Sequence, residues 1–363
     1  MPSSTSSFDP TDTPQPPQGP WRKTVLLGAG LIIVASLALE LLGRGFGLTP
    51  QVIDDGDLWC AERAKVRPGD TEQMVLVGAS RMQMDVVPEV LAKHFERGNP
   101  VQLAVNGRSS TPALKDFAAD PTFNGILLCD VMPGHYFGGQ KEDSGTQATY
   151  VQHWHSRSFV SSIERPLSTA LQSMATLRLL GWARDEGTQV WWKTGRKPKP
   201  VHVRMLANRS IIADFKTAKI DQIRALYLRD FHRAYPEALS EDKIEQNISR
   251  LEPWVKEIQA RGGRVVFLRL PVAGQLRDEE DRVFPVERCW KRLEETSSAI
   301  CINFADYPYL ARFECPDGSH LDGADREAFT NELAKVLKEK LPSPANPQAK
   351  QIATGSAASR IPH

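Results

Sequence analysis

Acyl chemistry at a serine needs an oxygen nucleophile, a base within hydrogen-bond reach, a group to orient the base, and N–H donors for the oxyanion. Three short segments of this 363-residue chain offer those groups. In Gly78-Ala79-Ser80-Arg81 a serine directly follows an apolar run, and its small neighbours let the backbone turn tightly and present a hydroxyl and an N–H together. In Asp317-Gly318-Ser319-His320-Leu321-Asp322-Gly323 a carboxylate stands three residues before a histidine, so it can accept from one imidazole nitrogen while the other faces Ser80. In Val105-Asn106-Gly107-Arg108-Ser109 the glycine supplies an N–H with no side chain in the way, a partner for the N–H of Ser80 at an oxyanion. Asn106 and Asp130 are candidate pocket residues, as are Arg269, Pro271 and Glu280, which lie after the fourth strand on the same sheet edge as Ser80, with Arg269 equally open to a structural ion-pair role.

Each residue taken singly has a plainer explanation. Ser80 can cap the helix that follows, Asp317 can cap a turn, and His320 can be a core or capping histidine. Their joint placement along one chain is what favours a nucleophile, base and orienting acid. His153 and His155 flank Trp154 and share one face if the segment is a strand, but no third ligand stands close by, so a surface pair is favoured over a metal site. Trp191 and Trp192 with Lys193, Arg196, Lys197 and Lys199 read as a partly buried aromatic pair beside a solvated loop, ahead of a surface for sugar, anionic polymer or lipid headgroups. The five cysteines show no metal-ligand spacing, and their odd number forbids a complete disulfide set. Cys129 reads as core, and one bridge is open to Cys289, Cys301 and Cys315 in an oxidising compartment. No metal and no cofactor is expected.

The elements that must position these groups follow a repeated grammar. Met74–Gly78, Val101–Val105, 125–131, 265–270 and 299–304 are short apolar runs of the buried parallel-strand kind, with helical patterns over 86–95 and 112–119 between the first three. Strands separated by helices predict a parallel sheet with right-handed crossovers. From about 138 to 240 the grammar lapses into an insertion with one helix at 220–235. It resumes with a helix capped by Ser240 that carries Ile244, Ile248, Leu251, Val255 and Ile258, and closes with a helix at 324–341. Residues 342–363 read as a flexible polar tail.

At the other end, residues 1–23 contain too little apolar material to order and are expected to be a disordered tail. Residues 24–43 then form a membrane anchor, whose run from Val25 to Leu42 holds a single charge, Glu40. The run is longer than the apolar part of a cleaved signal peptide and lies farther from the N-terminus. Arg22 and Lys23 before it and Asp54, Asp55 and Asp57 after it favour a cytoplasmic N-terminus and an outer domain over 44–341, a bias that Arg44 weakens without reversing. The formal net charge of +1 creates no global field that would recruit nucleic acid.

On its VLVGASR, LAVNGRSS and DGSHL segments, the chain resembles the SGNH (GDSL-type) hydrolases, in particular their membrane-anchored bacterial envelope group, over about residues 40–341. The resemblance implies a three-layer α/β sandwich with a flavodoxin-like parallel sheet. It makes Ser80 the nucleophile, His320 the base, Asp317 its partner, and Ser80 and Gly107 the oxyanion donors. It also implies a single-pass protein of the inner membrane with its catalytic domain on the periplasmic side. Two departures stand out. Gly-Ala-Ser replaces Gly-Asp-Ser, and Cys129-Asp130-Val131-Met132-Pro133-Gly134 stands where the family has Gly-x-Asn-Asp. The expected function is a serine-dependent esterase or O-acyl (acetyl) transferase acting on a cell-envelope glycan or related ester. The other reading is a non-catalytic assembly or polysaccharide-binding protein on a degenerate fold of the same kind.

Overall fold

The computed structural model describes residues 19–95, 100–138, 145–176 and 202–341. The chain divides into two compact units, one made of 1–49 with 175–200 and the other of 50–174 with 201–363.

The described residues of the first unit include one long helix, Trp21–Gly45, 25 residues long and almost wholly exposed on its apolar side chains. At about 1.5 Å per residue it spans about 37 Å, enough to cross a hydrocarbon core of about 30 Å. Among the described residues it is the one helix long and apolar enough to do so. Its charges sit at its ends: Arg22 and Lys23 in the first turn, and near the other end Glu40, which pairs with Arg44 at 2.7 Å. The Glu40 carboxylate also accepts from the backbone N–H of Thr176 at 2.6 Å.

The second unit is α/β. Its main sheet contains β1 (Met74–Val77), β2 (Val101–Gln102), β3 (Ile126–Asp130), β6 (Arg264–Arg269) and β7 (Ile300–Asn303), all parallel, in the order β2-β1-β3-β6-β7. Because side chains alternate across a strand, the continuous apolar runs supply two cores at once. Val75, Val77, Leu127, Cys129, Val265 and Phe267 face one core, with Phe117, Val255 and Trp290 packed on them. Leu76, Leu128, Val266 and Leu268 face the other, with Met82, Leu91, Phe329 and Leu333. Helices therefore cover both faces of the sheet.

Several elements differ from the sequence expectation, each for a local reason. The helix expected over 86–95 begins at Pro88, which holds the residue before it out of helical geometry, and the segment between it and β1 forms a further short helix, Ser80–Asp85. The helix after Ser240 likewise breaks into Glu241–Ser249 and Glu252–Ala260, with Pro253 in the first turn of the second, where its missing N–H costs nothing. Strand β2 stops at Gln102, although Leu103 and Val105 still donate to Leu76 and Gly78 at 2.8 and 2.9 Å. The segment ahead of β1 contains the helix Gly56–Arg63, capped by Asp55, whose Trp59 is fully buried and donates from its indole to the Leu103 carbonyl. Inside the insertion, β4 (Val203–Met205) and β5 (Ile211–Ala213) form an antiparallel pair beside the helices Gly145–Ser156, Phe159–Met174 and Ile220–Ala234.

The bridge open to the C-terminal cysteines does not form. All five cysteines carry free thiols, and burial pushes the thiols of Cys60, Cys289 and Cys301 up to about 11, 12 and 12.

Candidate active site

The C-terminal edge of the sheet gathers most of the candidate residues. Ser80 leaves β1 at the head of the short helix Ser80–Asp85, so its backbone N–H is one of the first-turn donors that a helix cannot satisfy internally. The turn before it depends on Gly78, whose φ of 154° lies where side chains are rarely tolerated. A Cβ there would stand 2.4 Å from the Cβ of Asp130. Asp130, at the end of β3, accepts from the N–H of Ala79 at 3.2 Å. A carboxylate from the neighbouring strand thus holds the turn that leads into Ser80.

The histidine arrives on the loop ahead of the closing helix Arg326–Lys340. His320 Nε2 lies 2.7 Å from Ser80 Oγ, and its Nδ1 lies 2.8 Å from Asp317 Oδ2. The other carboxylate oxygen, Oδ1, accepts from the backbone N–H groups of Ser319 and His320, both at 2.8 Å. With Nδ1 donating to the carboxylate, Nε2 is left as the acceptor for the serine hydroxyl. Burial works against the charge on Asp317. The bonds from His320 and the two backbone N–H groups outweigh it and hold the carboxyl below its ordinary value of 3.8.

This loop is fixed at several points by residues far away in sequence. Leu321 N–H donates to Asp85 Oδ1 at 2.9 Å, Ala273 N–H to the Gly318 carbonyl at 3.0 Å, and Gly323 N–H to the Ala213 carbonyl at 2.7 Å. Arg81, the residue after Ser80, donates from Nε to Ser319 Oγ at 3.2 Å and from Nη2 to Glu280 Oε1 at 2.6 Å. Both partners of this ion pair are buried. Burial alone would lower the Arg81 pKa, but Glu280 more than offsets it and the guanidinium stays charged. Tyr227, on the insertion helix Ile220–Ala234, sets its ring edge-on to His320 at 5.8 Å between centroids. Sequence reasoning missed Asp85 and Tyr227 and gave Glu280 only as a pocket residue.

The remaining candidates are placed differently. Asn106 and Gly107 lie exposed in the turn after β2, where Arg108 N–H donates to Val105 and Gly107 has a φ of 65°. Arg269 pairs with Asp281 at 2.6 Å, the structural ion-pair role and not a free pocket cation. His153 and His155 are on a helix, not a strand, and bind different carboxylates, Asp57 at 2.8 Å and Asp116 at 2.6 Å. Residues two apart on a helix face different directions, so they form no shared ligand face. Trp191, Trp192 and the basic run that follows lie outside the described residues. A cleft of about 650 Å³ opens on the Asp317 side of the cluster, lined by Arg224, Leu228, Leu276, Cys315 and Gly318 among others.

Two consequences can be measured. Glu280→Ala leaves the Arg81 charge buried without its partner and is expected to cost about 3–5 kcal/mol in urea unfolding. A loss under 1 kcal/mol would show that water or another acceptor already serves Arg81. Asp130 is pushed up to about 6, chiefly by burial and against the opposing pull of Arg81. A carboxyl raised in the folded state binds protons that the unfolded state has lost, so its contribution to stability falls as pH rises from about 4 to about 6. Asp130→Asn keeps an acceptor for Ala79 and does not titrate, so its stability advantage over the parent should grow by roughly 2–3 kcal/mol across that window. A difference that does not vary with pH would contradict this.

No family model matches the chain, and no curated protein matches its sequence.

Proposed function

We propose that this protein is a serine-dependent ester enzyme, an esterase or an O-acyl (acetyl) transferase, acting on a cell-envelope glycan or related ester. The observation that carries this reading is the unbroken hydrogen-bond chain from Ser80 through His320 to Asp317. The sheet order supports an SGNH-like fold: counting the strands of the main sheet alone, it is 2-1-3-4-5, the flavodoxin-like order, with the cluster at the carboxyl ends of the strands. Ser80 is only 7% exposed, which favours a small acyl group such as acetyl. The helix Trp21–Gly45, including residues 24–43, serves as a single-pass anchor in the bacterial inner membrane, with the catalytic unit on the periplasmic side.

In this mechanism Ser80 Oγ attacks the acyl carbonyl as its proton passes to His320 Nε2, and Asp317 stabilises the imidazolium. The N–H groups of Ser80 and Gly107 receive the oxyanion. Collapse of the tetrahedral intermediate breaks the ester C–O bond, and the leaving alkoxide takes the proton from Nε2. Water, or a sugar hydroxyl in the transferase, then attacks the acyl-serine with Nε2 as base. The acid or the new ester departs and Ser80 is restored.

A fluorophosphonate probe tests the reading. It should label the parent and leave Ser80→Ala unlabelled. A folded parent that resists labelling favours a non-catalytic assembly or polysaccharide-binding role instead. Acetate release from p-nitrophenyl acetate, set against transfer to an oligosaccharide, then separates hydrolysis from transfer.

A further inference from the structure

The helix Phe159–Met174 is inverted relative to a helix on a water-facing surface. Two of its polar side chains, Arg165 and Gln172, are buried against the protein, while Ser162, Glu164 and Ser173 are exposed, Glu164 at one edge of the outward face. Arg165 and Gln172 are each 6% exposed: Arg165 donates to the Ile53 carbonyl at 2.7 Å and binds Asp55 at 2.5 Å, and Gln172 accepts from the Ile53 N–H at 2.9 Å. Its apolar side chains face outward. Phe159, Val160, Ile163, Leu167, Leu171 and Met174 are 60–80% exposed. At 3.6 residues per turn these six fall within about one third of the helix circumference. Ile53, in the segment that the helix clamps, is itself 40% exposed.

Two features of the chain indicate what meets this face. Pro50, the first residue of the α/β unit, follows the helix Trp21–Gly45 by five peptide steps, about 18 Å at full stretch. Thr176, two residues past Met174, is itself hydrogen-bonded to Glu40 of that helix. Both ends of the clamp, residues 53–55 and the C-terminal end of Phe159–Met174, are therefore tied by short lengths of chain to the end of the apolar helix. At 16 residues with Pro166 inside, the outer helix is too short to cross a bilayer of about 30 Å. Its outward face carries no Lys or Arg, so attraction to anionic headgroups contributes little.

We infer that Phe159–Met174 lies in the bilayer interface with its apolar face among the acyl chains, fixing the α/β unit against the membrane surface. The inference rests on Trp21–Gly45 being a membrane anchor and is independent of the ester chemistry.

The test uses the full chain in phosphatidylcholine vesicles, with a bimane fluorophore on Leu167→Cys, on Ser162→Cys at the far edge of the same helix, and on Leu31→Cys in the anchor. Bimane at 167 is expected to lose roughly half its emission to brominated phosphatidylcholine and to be shielded from aqueous iodide, at low and high salt alike, while bimane at 162 shows neither effect. Quenching by brominated lipid at 31 but not at 167 overturns the inference while leaving the anchor intact. No quenching at either position overturns both. Shielding from iodide at 167 without quenching by lipid means that a protein surface, such as a second copy of this chain, covers the face, and likewise overturns it.

Discussion

Ser80→Ala is expected to lower turnover of an activated acetyl ester by about 10⁴-fold or more while leaving the fold intact. The size follows from what the substitution removes. Among the described residues the hydroxyl is the one group hydrogen-bonded to His320 Nε2, so in the proposed mechanism no acyl-enzyme forms without it, and a residual rate reflects water activated by the same imidazole. Stability should change little. Ser80 heads its helix, but its side chain makes no capping bond, and what the alanine loses is one hydrogen bond to His320, about 1 kcal/mol. Steady-state kinetics and thermal melting on the same preparation check both halves. A Ser80→Ala protein that melts normally and keeps more than about a tenth of the parental rate would remove the serine from the mechanism, because no general base effect of that size survives loss of the nucleophile.

The sheet was legible because its strands are buried on both faces. Met74–Val77 and Ile126–Asp130 are apolar at every position but the last of β3, and such runs stand out against the polar helices between them. The serine and the histidine were legible because the turn and the loop that carry them follow a strand and precede a helix, positions that the order of elements reveals. What stayed hidden was of two kinds. The antiparallel pair β4 and β5 has three residues a side with mixed burial, too short for alternation to register. The supports of the site were hidden because they join residues far apart in the chain: Arg81 with Glu280 at a separation of 199, and Leu321 with Asp85 at 236. Spacing informs only about neighbours along an element, so a carboxylate such as Asp85, whose partner arrives on another loop, resembles any helix-end aspartate until the fold is in hand. Arg269 shows the converse. Its place at the end of β6 suggested the pocket, and only its distance to Asp281 identifies it as an ion-pair partner.

Asp317→Asn should be nearly as damaging as loss of the nucleophile, about 10⁴-fold in kcat, with the geometry almost unchanged. The reason lies in the two oxygens of the carboxylate. Oδ1 accepts from the backbone N–H groups of Ser319 and His320, and only an acceptor can occupy that place. An asparagine must therefore keep its carbonyl oxygen there and turn its NH₂ toward His320 Nδ1. The imidazole then has to accept at Nδ1 and carry its proton on Nε2, facing Ser80 with a donor where the reaction needs a base. The defect is one of tautomer, and it should appear in kcat with little change in KM. Stability gives a second, independent reading. The parent carboxyl is held below its ordinary 3.8 in the folded state, so its contribution is present above that value and is lost as pH falls through the lower folded one. Any stability gap between parent and Asp317→Asn should accordingly close as the pH is taken below about 4. Parental turnover in Asp317→Asn at neutral pH would mean that the carboxylate only shapes the loop, and that His320 takes its orientation from elsewhere, with Tyr227 the nearest aromatic neighbour available to supply it.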